Sequence, residues 1–357
     1  MRGRSERLLG LLGEAAIDVM LVTDLLNVRY LTGFTGSNGL ALVGPRTRSF
    51  ITDFRYVEQA AEEVHASFER RRAARELLAE VAEALPIGEL KLGFEDGHLT
   101  VRQHAELRER LPERIELVAA GPLVEQLREV KEPEEVATMR IAASVADEAF
   151  EAVVGAGLIG RTEREVAVAL EQEMVQLGAS APSFETIVAA GPHGALPHHR
   201  PRDEAIRRGD LVVIDWGALV DGYHSDCTRT VAAGDPDTDG RDIYELVLEA
   251  QLAAVEAVTP GASTQGVDST ARAVIEAAGQ GDHFGHGLGH GVGLDIHEGP
   301  RLSQRGNGAL EPGNVVTVEP GVYLPGRLGV RIEDLVAVTS EGCEILTSVS
   351  KDLIVAD

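Results

Sequence analysis

Asp215, Asp226, His290, Glu319 and Glu333 sit at turn-linked places in the second half of this 357-residue chain, and a fold that unites them is tightly constrained. Four carboxylates and one imidazole make a ligand set for two divalent ions side by side. Asp215 ends the apolar run LVVI of DLVVIDWGALVDG, and Asp226 follows the Asp221-Gly222 pair in YHSDCTRT. A tight turn at that Asp-Gly makes the two runs a hairpin whose side chains alternate faces. In this register Asp215 lies opposite Thr228. Asp226 is then its diagonal neighbour on the same face, about 7–8 Å away between backbones, so both carboxylates reach one site.

The construction recurs about a hundred residues later. Glu319 closes the alternating run VVTVE, a connection PGVYLPGRLG follows, and VRIEDLVAV returns with Glu333 two residues after Arg331. That spacing puts Arg331 and Glu333 on one face of a strand. Asp215 thus corresponds to Glu319, and Asp226 to Glu333. Upstream, GLIGRTEREVAVALEQEMVQLGA echoes PGASTQGVDSTARAVIEAAGQG: a Gly-led turn, a Thr, then an amphipathic helix ending at Gly. The pattern predicts an internally duplicated domain with a pseudo-twofold axis and a site where the halves meet.

A single acid at a strand end is ordinarily a solvated carboxylate or a cap. The apolar setting argues otherwise for the set, because four carboxylates among Val, Ile and Leu runs repel one another unless cations offset them. The histidine segment HFGHGLGHGVGLDIHE carries His283, His286, His290 and His297 among five glycines. It lacks the strand-to-helix context of a dinucleotide loop, and His297-Glu298 runs into Gly299-Pro300, which excludes a zinc-protease helix. Glycines here let the backbone pass close to ions while the rings point inward. His283 reads as an ordinary core or surface residue. An earlier loop, AAGPHGALPHHRP, with His193, His198 and His199, holds the matching place in the first half and is expected to face the same site.

The ordered set PHH, DWGALVDGYHSDCTRT, GHGLGHGVGLDIHEGP, VVTVEPGVY and VRIED resembles the pita-bread metallopeptidases, which include methionine aminopeptidase, prolidase and aminopeptidase P. The resemblance covers roughly residues 130–345 with every motif in order. It implies that Asp215 ligates one metal, His290 and Glu319 the other, and that Asp226 and Glu333 bridge both. By the same resemblance His198, with His199 as the alternative, is the substrate-loop histidine, and His297 contacts the scissile region. His286, Tyr323 and Arg331 join them on the substrate, and Tyr323 and Arg331 match the proline-specific branch. The implied activity is hydrolysis of the Xaa-Pro bond at the amino terminus of peptides, by hydroxide activated on a dinuclear centre. His198, His297, Glu319 and Arg331 would carry it, with Glu319 shuttling the proton to the leaving amine. Oxygen ligands without a thiolate favour manganese, with cobalt or zinc as alternatives.

The first 120-odd residues alternate helix-like and strand-like runs (RSERLLGLLGEAAI, VMLVT, RSFITDFRYVEQAAEEV, KLGFEDG), which predicts an α/β domain with no catalytic constellation of its own. Its YLTGFTGSNG resembles the amino-terminal domain of aminopeptidase P and prolidase, which implies a homodimer. The same segment also fits a plain Gly/Ser/Asn turn. The expected organisation is therefore α/β (α+β), with a smaller creatinase-like domain over residues 1–124 and a pita-bread catalytic domain over 125–357. The boundary falls in GPLVEQLREVKEPEEV, where Pro133 starts a long helix.

A net charge of −25 and a sequence pI near 4.8 argue against nucleic acid or anionic membranes as partners. Two cysteines fit a reducing cytoplasm, and the chain start is too soon interrupted by acids to be a secretory signal. Within the proline-specific branch the FTGSNG segment points to aminopeptidase P, with dipeptide-restricted prolidase as the alternative. A non-peptidase on the same fold, either creatinase-like or a peptide-binding relative, would lack part of the ligand set. All five positions are present here.

Overall fold

The computed structural model describes residues 2–357, with side chains from residue 3 onward. The chain divides into two compact units, Met1–Arg128 and Glu129–Asp357. The division lies inside helix Leu123–Glu129, four residues beyond the expected 124/125, because a helix begun by the first unit runs to the junction.

The first unit is a six-stranded mixed sheet in the order Glu69–Arg72, Thr47–Thr52, Gly39–Gly44, Val19–Val22, Leu90–Phe94, Ile115–Ala119. The VMLV strand is buried on both faces, as its unbroken apolar run demands. Helix Leu25–Thr32 is capped at its start by the Asp24 carboxylate and ends on Gly33 in the left-handed region, which admits glycine without strain.

The second unit has two main sheets, of four and five strands, each backed by its own helices, and two smaller sheets of three and two strands. In the first half, helices Pro133–Gly155 and Glu163–Gln176 pack on the sheet of Ile187–Ala190, Leu211–Trp216, Cys227–Ala233 and Val355–Ala356. Pro133 occupies the first helical turn, where its missing N–H costs nothing. Trp216 is fully buried, stacks on Phe150 at 4.2 Å between centroids and donates its indole N–H to Ala146 O at 2.8 Å. In the second half, helices Thr238–Ala257 and Thr264–Ala277 pack on a sheet centred on Val315–Val318 and Asp334–Val338. The echo between halves extends to the caps: Thr162 and Ser263 each cap their helix and each form an isolated bridge, to Ala205 and Ala309.

The hairpin register agrees with the spacing argument. Strands Leu211–Trp216 and Cys227–Ala233 are antiparallel with Asp215 opposite Thr228, and the chain reverses at Asp221 and Gly222, both at positive φ. The second half is a looser copy. Val318 pairs with Asp334, so Glu319 and Glu333 lie just past the strand ends, whereas Asp215 lies within its strand. The halves are joined by the bridge between Thr228 and Glu333, where Glu333 N–H donates to Thr228 O at 3.0 Å.

Candidate metal centre

Where the halves meet, the structure gathers the five predicted ligands at the base of a cavity of about 1100 Å³. Asp215, Asp226 and Glu333 each offer an oxygen within 4.8 Å of the others. His290 stands between Asp226 and Glu319, its Nε2 lying 3.6 Å from Asp226 Oδ2 and 3.5 Å from Glu319 Oε1. His290 Nδ1 faces its neighbour's carbonyl, Gly291 O, at 3.0 Å. A carbonyl only accepts, so the proton resides on Nδ1 and the Nε2 lone pair points at the acids. Burial pulls the His290 pKa down to about 4, which keeps that lone pair free at neutral pH. Support extends outward: Thr228 Oγ1 donates to Glu333 Oε2 at 2.6 Å, and Thr317 Oγ1 donates to Glu319 Oε1 at 3.1 Å.

The electrostatics describe a cluster short of positive charge. Burial, then Glu333, Asp215 and Glu319, push the Asp226 carboxyl well above its usual range, and burial with Glu319 and Asp215 does the same to Glu333. Asp215 is raised by burial against the opposing pull of Arg331, and Glu319 is pushed up to about 7, chiefly by burial. Asp215 Oδ1 is buried with no hydrogen-bond partner among the described residues. An acceptor-only oxygen in that state, beside three acids that resist ionisation, fits a site completed by cations.

Arg331 lies at the centre of the supporting network and is buried. Its NH2 binds Asp215 Oδ2 at 2.6 Å, its Nε binds Thr228 Oγ1 at 3.1 Å, and its NH1 donates to Tyr323 Oη at 3.0 Å and to Pro197 O at 3.2 Å. Tyr323 Oη donates a hydrogen bond to His286 Nε2 at 2.9 Å, because His286 Nδ1 carries the ring proton and donates it to Gly287 O at 2.7 Å. Tyr323, Arg331 and His286, all expected at the substrate, thus line the cavity while being engaged with one another. Burial, then the positive charge of Arg331, lowers His286 to about 4. His297 and His198 are exposed on the cavity wall, with the His297 ring edge-on to His290 at 4.4 Å. Burial, then Arg301, holds the His297 pKa below the ordinary value.

Of the adjacent pair, His198 is exposed to the cavity and His199 is buried with its ring on Glu163 at 2.8 Å. His283 sits at the cavity rim and contacts Gln280. Cys227 lies on the far face of its strand, against Glu333 O and Arg229. Residue spacing gives no sign of Glu163, which faces two loop histidines, or of the site role of Arg229, a buried guanidinium that grips the Glu333 and Val349 carbonyls and the Asp334 carboxylate. The only trace of Arg229 was its alternation with Thr228 and Thr230 in CTRT.

Two sheet-and-helix halves closing on a buried carboxylate cluster define a metallopeptidase of the pita-bread class. Residues 137–340 match metallopeptidase family M24, and residues 4–130 match the creatinase/prolidase N-terminal domain. The chain belongs to family M24, whose members are hydrolases that use a dinuclear divalent metal centre. It is 39% identical to a Xaa-Pro dipeptidase of Pyrococcus furiosus, over 99% of this chain and 100% of that one. Among solved structures it superposes on a Xaa-Pro dipeptidase from Bacillus anthracis with TM-score 0.96 and 41% identity, covering 99% of each chain. It superposes on an X-Pro aminopeptidase from Thermotoga maritima with TM-score 0.89 and 36% identity, covering 99% of this chain and 100% of that one.

Proposed function

We propose that this chain is a metal-dependent exopeptidase that hydrolyses the bond between an amino-terminal residue and a following proline. The observation that carries the reading is the complete five-residue donor set, with its orphaned Asp215 oxygen, at the base of a histidine-lined cavity. Asp215 would hold one cation, His290 and Glu319 the other, and Asp226 and Glu333 both. When bound, the two cations neutralise the acids, acidify a water and polarise the scissile carbonyl. Glu319 accepts the proton of the attacking water and returns it to the proline nitrogen. His198 and His297 donate to the oxyanion as charge develops on the carbonyl oxygen. Arg331 holds Asp215, Tyr323 and the loop at Pro197, a positioning role.

Xaa-Pro is a tertiary amide with a restricted ring, a shape that rewards a dedicated pocket. The whole-length relatives include proteins named both as dipeptidases and as an aminopeptidase, so restriction to dipeptides stands as the second reading. Hydrolysis of Xaa-Pro and Xaa-Pro-Yaa by protein stripped of metal and reloaded separates them. Turnover of both substrates is the aminopeptidase outcome, turnover of the dipeptide alone the dipeptidase outcome, and turnover of neither rejects the proposal. Manganese is the expected activator, on the all-oxygen and imidazole donor set. A homodimer in the cytoplasm is part of the same reading, supported by the creatinase-type first domain and two free cysteines. Among the described residues, no helix is long and apolar enough to cross a membrane.

His198→Ala and His297→Ala are expected to keep both cations, since neither ring belongs to the donor set, while kcat falls about 10²–10³-fold. Metal analysis beside steady-state kinetics checks this. Loss of metal in either variant would place that histidine among the ligands.

A further inference from the structure

Glu163 is the first residue of helix Glu163–Gln176, and its side chain is 1% exposed. Oε1 accepts the Ala190 N–H at 2.8 Å and faces His193 Nδ1 at 2.8 Å. Oε2 accepts the Arg202 N–H at 3.0 Å and faces His199 Nε2 at 2.8 Å. One carboxylate therefore gathers four points of the segment from Ala190 to Arg202, and the His193 and His199 rings stack within it at 4.4 Å. Burial opposes the charge on Glu163, but these hydrogen bonds outweigh it and hold its pKa below the usual value. An ionised carboxylate only accepts, so both facing imidazole nitrogens carry protons. His198 sits between two held neighbours. The Pro197 carbonyl is gripped by Arg331, and the His199 ring is gripped by Glu163.

We propose that Glu163, acting through His193 and His199, is a positioning residue that fixes the loop carrying His198 beside the metal centre and thereby sets the rate of the chemical step. The inference rests on the reading of His198 given under the proposed function. The same three side chains lie close enough, within 4.8 Å, to hold a cation. Each Glu163 oxygen already meets two donors, however, which satisfies the group as it stands.

The test is a double-mutant cycle of Glu163→Gln with His198→Ala on an Xaa-Pro substrate, with metal analysis and hydrogen exchange of the Ala190–Arg202 amides. Glutamine keeps the shape, yet its amide nitrogen cannot accept from an imidazole N–H. In the wild-type background kcat should fall about 10–100-fold, as when a group orienting an active side chain is lost. KM and the two equivalents of metal should hold, and the loop amides should lose protection. In the His198→Ala background the second substitution should cost nothing further. Equal losses in both backgrounds, unchanged exchange, or loss of a third equivalent of metal would each overturn the proposal. Should Glu163→Gln not fold, His199→Gln is carried through the same cycle. Wild-type protein that cleaves no Xaa-Pro peptide would reject the functional reading alone, because exchange still reports on the anchor.

Discussion

Asp226→Asn and Glu333→Gln are each expected to abolish measurable turnover and to lower bound metal, a loss beyond the ~10–100-fold that follows removal of a group that merely supports a ligand. Both side chains are buried among other acids, and each would span two cations. The amide replacements keep volume and shape, so packing is preserved and the charge alone is removed. That isolates a second, opposite effect. In metal-free protein Asp226 and Glu333 repel their neighbours, so removing either charge should raise the melting temperature of the stripped form while lowering that of the loaded form. Metal analysis and thermal unfolding of stripped and loaded protein check both signs. Full activity with metal retained in both variants would assign the ligands elsewhere.

Removal of metal is expected to have the largest effect on stability, and the effect depends on pH. Burial raises the Glu319 pKa from 4.5 to about 7 in the metal-free site, and Asp226 and Glu333 shift in the same direction. A carboxyl with a raised folded-state pKa binds more protons folded than unfolded between those two values. The Glu319 contribution to the stability of the stripped protein therefore falls as pH rises from about 4.5 to about 7, Asp226 and Glu333 act in the same direction, and burial of the neutral His286 and His290 rings acts in the opposite one. Divalent ions reverse the trend, since they bind only the deprotonated acids and bind them more tightly as pH rises. At a free ion concentration about a thousandfold over Kd the gain is about 4 kcal/mol. For a domain of this size that is on the order of 10 °C in melting temperature. Melting curves for stripped and manganese-loaded protein should diverge between about pH 5 and about pH 7. Parallel curves would remove the carboxylate cluster from the metal site.

The register of the first hairpin was legible in the sequence because it depends on local rules. Period-two alternation in LVVID and CTRT, with an Asp-Gly turn between, leaves one alignment that puts Asp215 opposite Thr228. The pairing of the repeats was legible for the same reason, although the cap equivalent to Thr162 is Ser263 and not the adjacent Thr264, which is the first residue of its helix. What could not be read is what depends on which surfaces meet. Glu163 reaches His193 and His199 across 30 and 36 positions, and nothing at Thr162-Glu163 distinguishes it from an ordinary capping box. Arg331 was visible as a neighbour of Glu333. Its hold on the Pro197 carbonyl, 134 positions away, follows only from the docking of the two halves.

The bridge between Thr228 and Glu333 spans 105 positions of the chain. Closing so long a loop costs entropy before any contact repays it, which makes such contacts late events in folding. Asp215 and Asp226 come from one side of that junction, and His290, Glu319 and Glu333 from the other, so neither fragment of a nicked chain keeps more than part of the donor set. Ion capture is thus a reporter of completed assembly: a nascent or partly denatured chain scavenges little metal, and release of the ions is an early sign that the seam has opened.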